Sequence, residues 1–286
     1  MTWLLLTLLS ALAFSGSDAV SKWISRDISD LANTYIRFLY SMPFFLLLWF
    51  FIDVPSLDTT FWLAAGTQLP LEITAWIFYL RAIRVSPLSL TVPFLGLTPV
   101  FLLIVPWILM GETVSFMGGI GVILVAVGIY VLNVNQSSRG IFGPLKAVWH
   151  EPGSILMIIV AILFSFTATL GKIAITHSSP LFVAGFYDPL IAIVLTPFAF
   201  GKSSVRKQLF QFPWKALLIG VFFAIMALAH YYAIVLAKVA YMIAVKRTSL
   251  IFATLWGWLF FHEEQFIERI IGAIIIVIGV FLISAA

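Results

Sequence analysis

"AYMIAVKRTSLIFATLWGWLFF", Ala240 to Phe261, is an apolar run long enough to cross a bilayer. It nevertheless carries Lys246 and Arg247 side by side, about two helical turns inside it. A charge at the centre of a spanning helix costs roughly 2.5–3.5 kcal/mol on insertion scales, so two neighbours require a physical reason. Either they snorkel to a headgroup layer, or they face a water-filled cavity and hold something negative.

The rest of the chain shares that apolar character. Of 286 residues, 62% are hydrophobic and 10% charged, and the mean hydropathy is +1.12. Soluble domains run nearer 45–50% apolar and about 25% charged. The composition therefore implies an all-α integral membrane protein, with the lipid bilayer as its first partner. The absence of cysteine excludes disulfides, thiolate metal sites and a cysteine nucleophile. A net charge of +4 is spread over loops and helices, with no basic run dense enough for nucleic acid. The opening "MTWLLLTLLSALAFSGSDA" has a small-residue end like that of a cleaved leader but lacks the positive start, and reads as the first membrane helix.

A window of about 20 residues gives ten candidate spans. They are 2–23, 31–52, 62–82, 88–109, 117–134, 154–174, 181–199, 214–236, 240–261 and 266–285. The connection "NVNQSSRGIFGPLKAVWHEPG", Asn133 to Gly153, carries Gly, Pro and Ser and falls near the middle. The chain accordingly divides into residues 1–134, a linker at 135–153, and residues 154–286. Prolines 43, 70, 93, 99, 106, 189 and 197 fall inside spans, where membrane helices tolerate them as kinks.

The second half repeats the first. An offset of 151 aligns Phe101 with Phe252, Trp107 with Trp258, Glu112 with Glu263, Gly121 with Gly272 and Gly128 with Gly279. An offset of 150 aligns Ser15 with Ser165 and Lys22 with Lys172. Five spans per half is an odd number, so the halves are expected to be inverted, with substrate bound near the midplane between them. One face receives Lys22, Arg26, Arg81, Arg84, Arg139, Lys146, Lys202, Arg206, Lys207, Lys215 and Arg269, and the other only Lys172 and Lys238. That bias places both termini outside the cytoplasm, in a multi-pass protein of a plasma membrane of bacterial inner-membrane type.

The doubled "GE-x(8)-G-x(6)-G" element, "GETVSFMGGIGVILVAVG" and "HEEQFIERIIGAIIIVIG", resembles the EamA domain of the drug/metabolite transporter superfamily. "YLRAIRVSPLSL" and "SDAVSKWI" resemble it too. The resemblance spans nearly the whole chain as two units. It implies a ten-helix carrier of small metabolites with a central cavity, and cytoplasmic termini, against the loop charges. "VKRTS" and "SFTATLGKIAI" also look similar to the ninth and sixth helices of plastid triose-phosphate translocators. That likeness implies that Lys246, Arg247 and Lys172 bind phosphate.

Ionisable residues within spans mark a pathway or an ion pair. Lys246 aligns with Leu95 and Arg247 with Gly96, so the charge belongs to one half, as an asymmetric substrate requires. Arg grips carboxylate or phosphate with a planar fork, and Lys acts as a point charge. Neighbouring helical residues point about 100° apart, so one of the two could instead snorkel or pair with Asp188. Glu72 is a proton-coupling candidate, because desolvation favours a neutral carboxyl, unless Arg37 pairs with it. Asp188 is the other coupling candidate. His230 titrates, contacts substrate or is simply hydrogen-bonded. Trp76, Tyr79 and Tyr241 line the cavity or pack between helices. Glu112 and Glu263 read as caps of the helices that follow them.

These residues point to a secondary transporter for a small organic anion, run by proton or counter-substrate coupling, as a monomer or homodimer. A proton-coupled exporter of amino acids or drugs and a lipid-phosphate flippase are the alternatives. An enzyme is not expected. His150, His177, His230 and His262 have no metal-ligand spacing, and no Gly-rich phosphate cradle occurs, so neither metal nor cofactor is expected.

Overall fold

The computed structural model describes residues 1–25, 27–86, 91–134, 151–261 and 266–286. Glu263, Arg26, Arg139, Lys146 and most of the expected linker lie outside the described residues. Among those described, the regular structure is helical: α1 (Thr2–Ile24), α2 (Asp30–Leu47), α3 (Thr59–Val85), α4 (Thr98–Phe101), α5 (Val105–Met110), α6 (Phe116–Val134), α7 (Pro152–Thr176), α8 (Pro180–Phe200), α9 (Ser203–Gln208), α10 (Pro213–Leu236), α11 (Val239–Lys246), α12 (Ser249–Phe261) and α13 (Phe266–Ser284).

Among the described residues, seven segments are long and apolar enough to cross a membrane: Thr2–Ile24, Leu31–Phe50, Pro93–Met110, Pro152–Thr176, Pro180–Phe200, Pro213–Leu236 and Val239–Phe260. Phe116–Leu132 and Ile270–Ser284 are apolar but shorter. Helix α3 has 27 residues, about 40 Å, but its Gln68, Glu72 and Arg81 lower its hydropathy. The protein is an integral, multi-pass membrane protein. Leu5, Ile274, Val277 and Phe281 are more than half exposed on its outer surface, as lipid contact permits.

Helix ends follow local chemistry. The Ser29 hydroxyl accepts from the Ala32 N–H at 3.3 Å, and Ser179 from Phe182 at 3.1 Å, satisfying donors of the first turn. Asp58, outside the spanning segments, accepts from the Phe61 N–H at 2.8 Å and meets His177 Nδ1 at 2.7 Å. The backbone bond, with His177 behind it, holds the Asp58 carboxyl below its usual range. This cap is complete above about pH 4 and is lost only as pH falls through the lowered value. Pro93, Pro99 and Pro106 divide the expected fourth span into a 3-10 turn (Val92–Leu97), α4 and α5, each with its proline in the first turn. In the expected ninth span, α11 ends at Lys246 and α12 begins at Ser249.

The longest packing seams join the halves: α6 on α13, α3 on α7, α1 on α10, and α2 on both α10 and α8. The α6–α13 seam is built from the repeated glycines. A Cβ on Gly121 would stand 2.7 Å from the Gly279 carbonyl oxygen, and one on Gly279 would stand 2.7 Å from the Gly121 oxygen. A Cβ on Gly128 would lie 2.9 Å from the Gly272 oxygen, so the two helices cross antiparallel, backbone against backbone. Gly121→Leu should therefore destabilise the protein by about 1–3 kcal/mol, the usual cost of overpacking. Gly66→Leu, where an added Cβ meets nothing within 4 Å, should leave the thermal midpoint in detergent nearly unchanged. Equal midpoints for the two variants would mean that the seam is not close-packed.

Candidate functional site

A cavity of about 450 Å³ lies between the halves. Helix α3 contributes Gln68, Glu72, Trp76 and Tyr79, whose spacing of four, four and three places them on one stripe. Helix α10 contributes Met226 and His230, four apart, with Tyr231 alongside, and α2 contributes Asn33, Thr34 and Arg37. Asp188 enters from α8 beside Pro189, 5% exposed.

Lys246 and Arg247 both line this cavity. The expectation that they point apart assumes a continuous helix. Arg247 instead caps the end of α11, and 3-10-type bonds from Thr248 to Val245 and from Ile251 to Thr248 carry the chain across the break. Lys246 Nζ lies 3.1 Å from His230 Nδ1 and 3.2 Å from Met226 Sδ, with the Phe14 ring centroid at 5.6 Å. Glu72, Asp188 and Asp18 are within its electrostatic reach, yet none forms a direct ion pair with it. Arg247 differs: its Nε is buried with no hydrogen-bond partner, and among the described residues no carboxylate pairs with it. A buried cationic donor without an acceptor is costly, so this group is poised to gain from an incoming anion.

The carboxylates are held by neutral donors. The Tyr231 hydroxyl donates to Asp188 Oδ2 at 2.8 Å. Glu72 Oε2 accepts from Gln68 Nε2 at 3.1 Å and from the Tyr187 hydroxyl at 3.4 Å. Arg37 does not pair with Glu72, because its Nη1 bonds Asp18 Oδ1 at 2.7 Å. Asp18 also lines the cavity, and its side chain is 41% exposed. Three carboxyl groups (Asp18, Glu72 and Asp188) stand against Arg37, Lys246 and Arg247 on the wall, with His230 beside them, so acids and permanent cations are equal in number.

Two expected residues lie elsewhere. Lys172 is not on the cavity wall; its Nζ bonds Glu112 Oε2 at 2.5 Å and the Ala237 carbonyl at 2.7 Å. Tyr241 is likewise off the wall, its hydroxyl 2.9 Å from the Ser115 N–H. Glu112 does not cap the helix that follows it. Ser115 Oγ accepts from Gly118 at the start of α6, while Glu112 Oε1 accepts the Val239 N–H of α11 at 2.6 Å. Gln68 and Asn33 were not picked out from sequence. The i, i+4 relation of Gln68 to Glu72 is the signal that would have found the first.

Among the described residues Asp188 has no direct cation partner, so Asp188→Asn, whose carbonyl can still accept from Tyr231, should fold and shift stability by less than about 1 kcal/mol. Unfolding of that variant in a thermal melt would show that the carboxylate charge, not its hydrogen bond, holds α8 in place.

The EamA-like transporter family profile matches residues 1–134 and 151–285. An uncharacterized transporter of Archaeoglobus fulgidus is 22% identical over 287 residues, covering 98% of this chain and 97% of that protein. A crystal structure of another protein superposes with a TM-score of 0.75 at 15% identity, covering 99% of this chain and 96% of that one, which shows a shared fold. The two profile matches take in both halves of the chain and leave only the residues around the expected linker unmatched, and on that basis the chain belongs to the EamA-like transporter family.

Proposed function

We propose that the chain is a secondary-active carrier that moves a small organic anion, bearing a carboxylate or phosphate, through the central cavity by alternating access. The carrying observation is Arg247, a buried guanidinium with an unpartnered Nε on the cavity wall. Lys246 adds positive charge beside it. Arg37, Trp76, Tyr79 and His230 complete the wall around the substrate, and Glu72 and Asp188 are the coupling groups.

The architecture that supports this reading is a ten-span bundle of two inverted five-helix repeats, residues 1–134 and 154–286. Exchanging the halves turns the α1–α10 seam into the α7–α3 seam and maps α6–α13 onto itself. Bonds from Ser10 to Met226 and from Ser17 to Ile219 run α1 and α10 antiparallel. Helices α3, α6 and α13 would supply the three spans beyond the seven. The loop charges favour termini outside the cytoplasm of a bacterial-type plasma membrane.

A second reading, export of amino acids, draws on one further observation. Among the described residues Glu72 and Asp188 accept only from neutral donors, which leaves them free to receive a substrate ammonium.

A thermal-shift screen against organic phosphates, carboxylates and amino acids separates the two. Organic anions without an ammonium group should stabilise the protein under the first reading and fail under the second. With the ligand found, Arg247→Gln should weaken equilibrium binding roughly tenfold to a hundredfold, since a charge-assisted bond is worth about 1.5–3 kcal/mol. Arg247→Lys should restore only part of the loss, because the fork is gone. Binding unchanged by both substitutions contradicts the anion site.

A further inference from the structure

Glu112 does not line the cavity, yet both of its carboxylate oxygens are engaged across the halves. Gly111 ends α5 with φ +67, a left-handed turn that favours glycine, and the chain leaves the helix there so that Glu112 projects across to the other half. One carboxylate oxygen takes the Lys172 ammonium from α7, and the other takes the first N–H of α11 at Val239. Lys172 Nζ is also bonded to the Ala237 carbonyl, in the turn that leads into α11. A few residues on, the Tyr241 hydroxyl binds Ser115 and lies against Gly118, where any Cβ would overlap its ring. The side chains of Lys172 and Glu112 are only 9% and 12% exposed.

We infer that Glu112 and Lys172, with Tyr241 and Ser115, form a clasp between the halves that shuts the cavity on the side of the Gly111–Ser115 turn and positions α11. The inference rests on the alternating-access reading above. On α11 the cavity wall stops at Ile243, two positions from Tyr241, and on α7 it runs along Gly171 and Ile175 while the Lys172 side chain between them is held in the clasp; at the other end the wall reaches the partly exposed Asp18. Access from the clasp side therefore requires the Glu112–Lys172 bond to part. The clasp also holds the start of the helix whose far end carries Lys246 and Arg247. Glu112 is thus a positioning residue for the anion site without touching substrate. In the sequence, the same residue types recur at the repeat offsets, Lys22 for Lys172 and Glu263 for Glu112.

The chain has no cysteine, so a single introduced thiol reports access without background. Ile243→Cys places that thiol on the cavity wall next to the clasp. In sealed vesicles, a membrane-impermeant maleimide is added from the side that reaches a Thr113→Cys control. The parent should react slowly there. Glu112→Gln and Lys172→Met should each raise the rate about tenfold, the factor that 1.4 kcal/mol represents. The charge swap, Glu112→Lys with Lys172→Glu, should return it towards the parent value. Rates left unchanged by both single substitutions overturn the clasp and leave only a brace. Should those variants not fold, Tyr241→Phe, which removes only the Ser115 bond, carries the same readout, and an unchanged rate again overturns it. The assay contains no substrate. Failure here with a responsive Arg247 removes the clasp alone, whereas the reverse result removes the anion site alone.

Discussion

Charge in a medium without water is the constraint from which most of this structure follows. A cation in the bilayer interior is tolerated only where water or a partner reaches it. Lys246 and Arg247 meet that condition because the expected ninth span breaks beneath them and both open onto one cavity. The expected fourth span, its counterpart in the first half, is broken as well, by Pro93, Pro99 and Pro106. Interrupted helices facing each other leave room for a polar space at mid-depth, which an unbroken bundle would fill with side chains. The polar stripe of α3 supplies the facing wall.

Within that space the charges are distributed unevenly. Asp18 and Arg37 neutralise each other. Glu72 and Asp188 rest on tyrosine hydroxyls and a glutamine, and Lys246 rests on a histidine, a thioether and a ring. Only short-range neutral partners separate these groups from one another, so a proton or a substrate charge entering the cavity alters the balance of the whole set. Arg247 holds the least compensated position, its buried Nε without a partner, and the proposed anion site is built on it. Outside the cavity the halves are held by opposite means: bare glycine backbone along α6 and α13, and a buried ion pair at Glu112 and Lys172.

Much of this was legible in the sequence. The membrane class followed from composition, the break sites from proline spacing, and the glycine seam from the repeated "GE-x(8)-G-x(6)-G" element. The place of Lys246, Arg247, Arg37, Glu72, Asp188 and His230 on the cavity wall was signalled by their being ionisable inside apolar runs, whereas the aromatic Trp76 and Tyr79 gave no such signal. What remained hidden was pairing. Lys172 looks like a substrate ligand until α5 is seen to end at Gly111, which throws Glu112 within reach of it. Arg37 was weighed against Glu72, when a residue one helix away, Asp18, takes it. Nor does a sequence show that a helix stops between two charges, which is why Lys246 and Arg247 were expected to diverge. Each miss concerns which of several polar groups meet in space, and periodicity along one helix carries no information about that.

The central claim is that Arg247 grips an anion in the cavity, and it is tested most directly by locating one. A structure determined with selenate, a tetrahedral oxyanion with an anomalous signal, should show the selenium within hydrogen-bonding distance of the Arg247 guanidinium, with Nε now donating. A peak confined to other sites, with Arg247 turned into an ion pair with Glu72 or Asp188, would contradict the account.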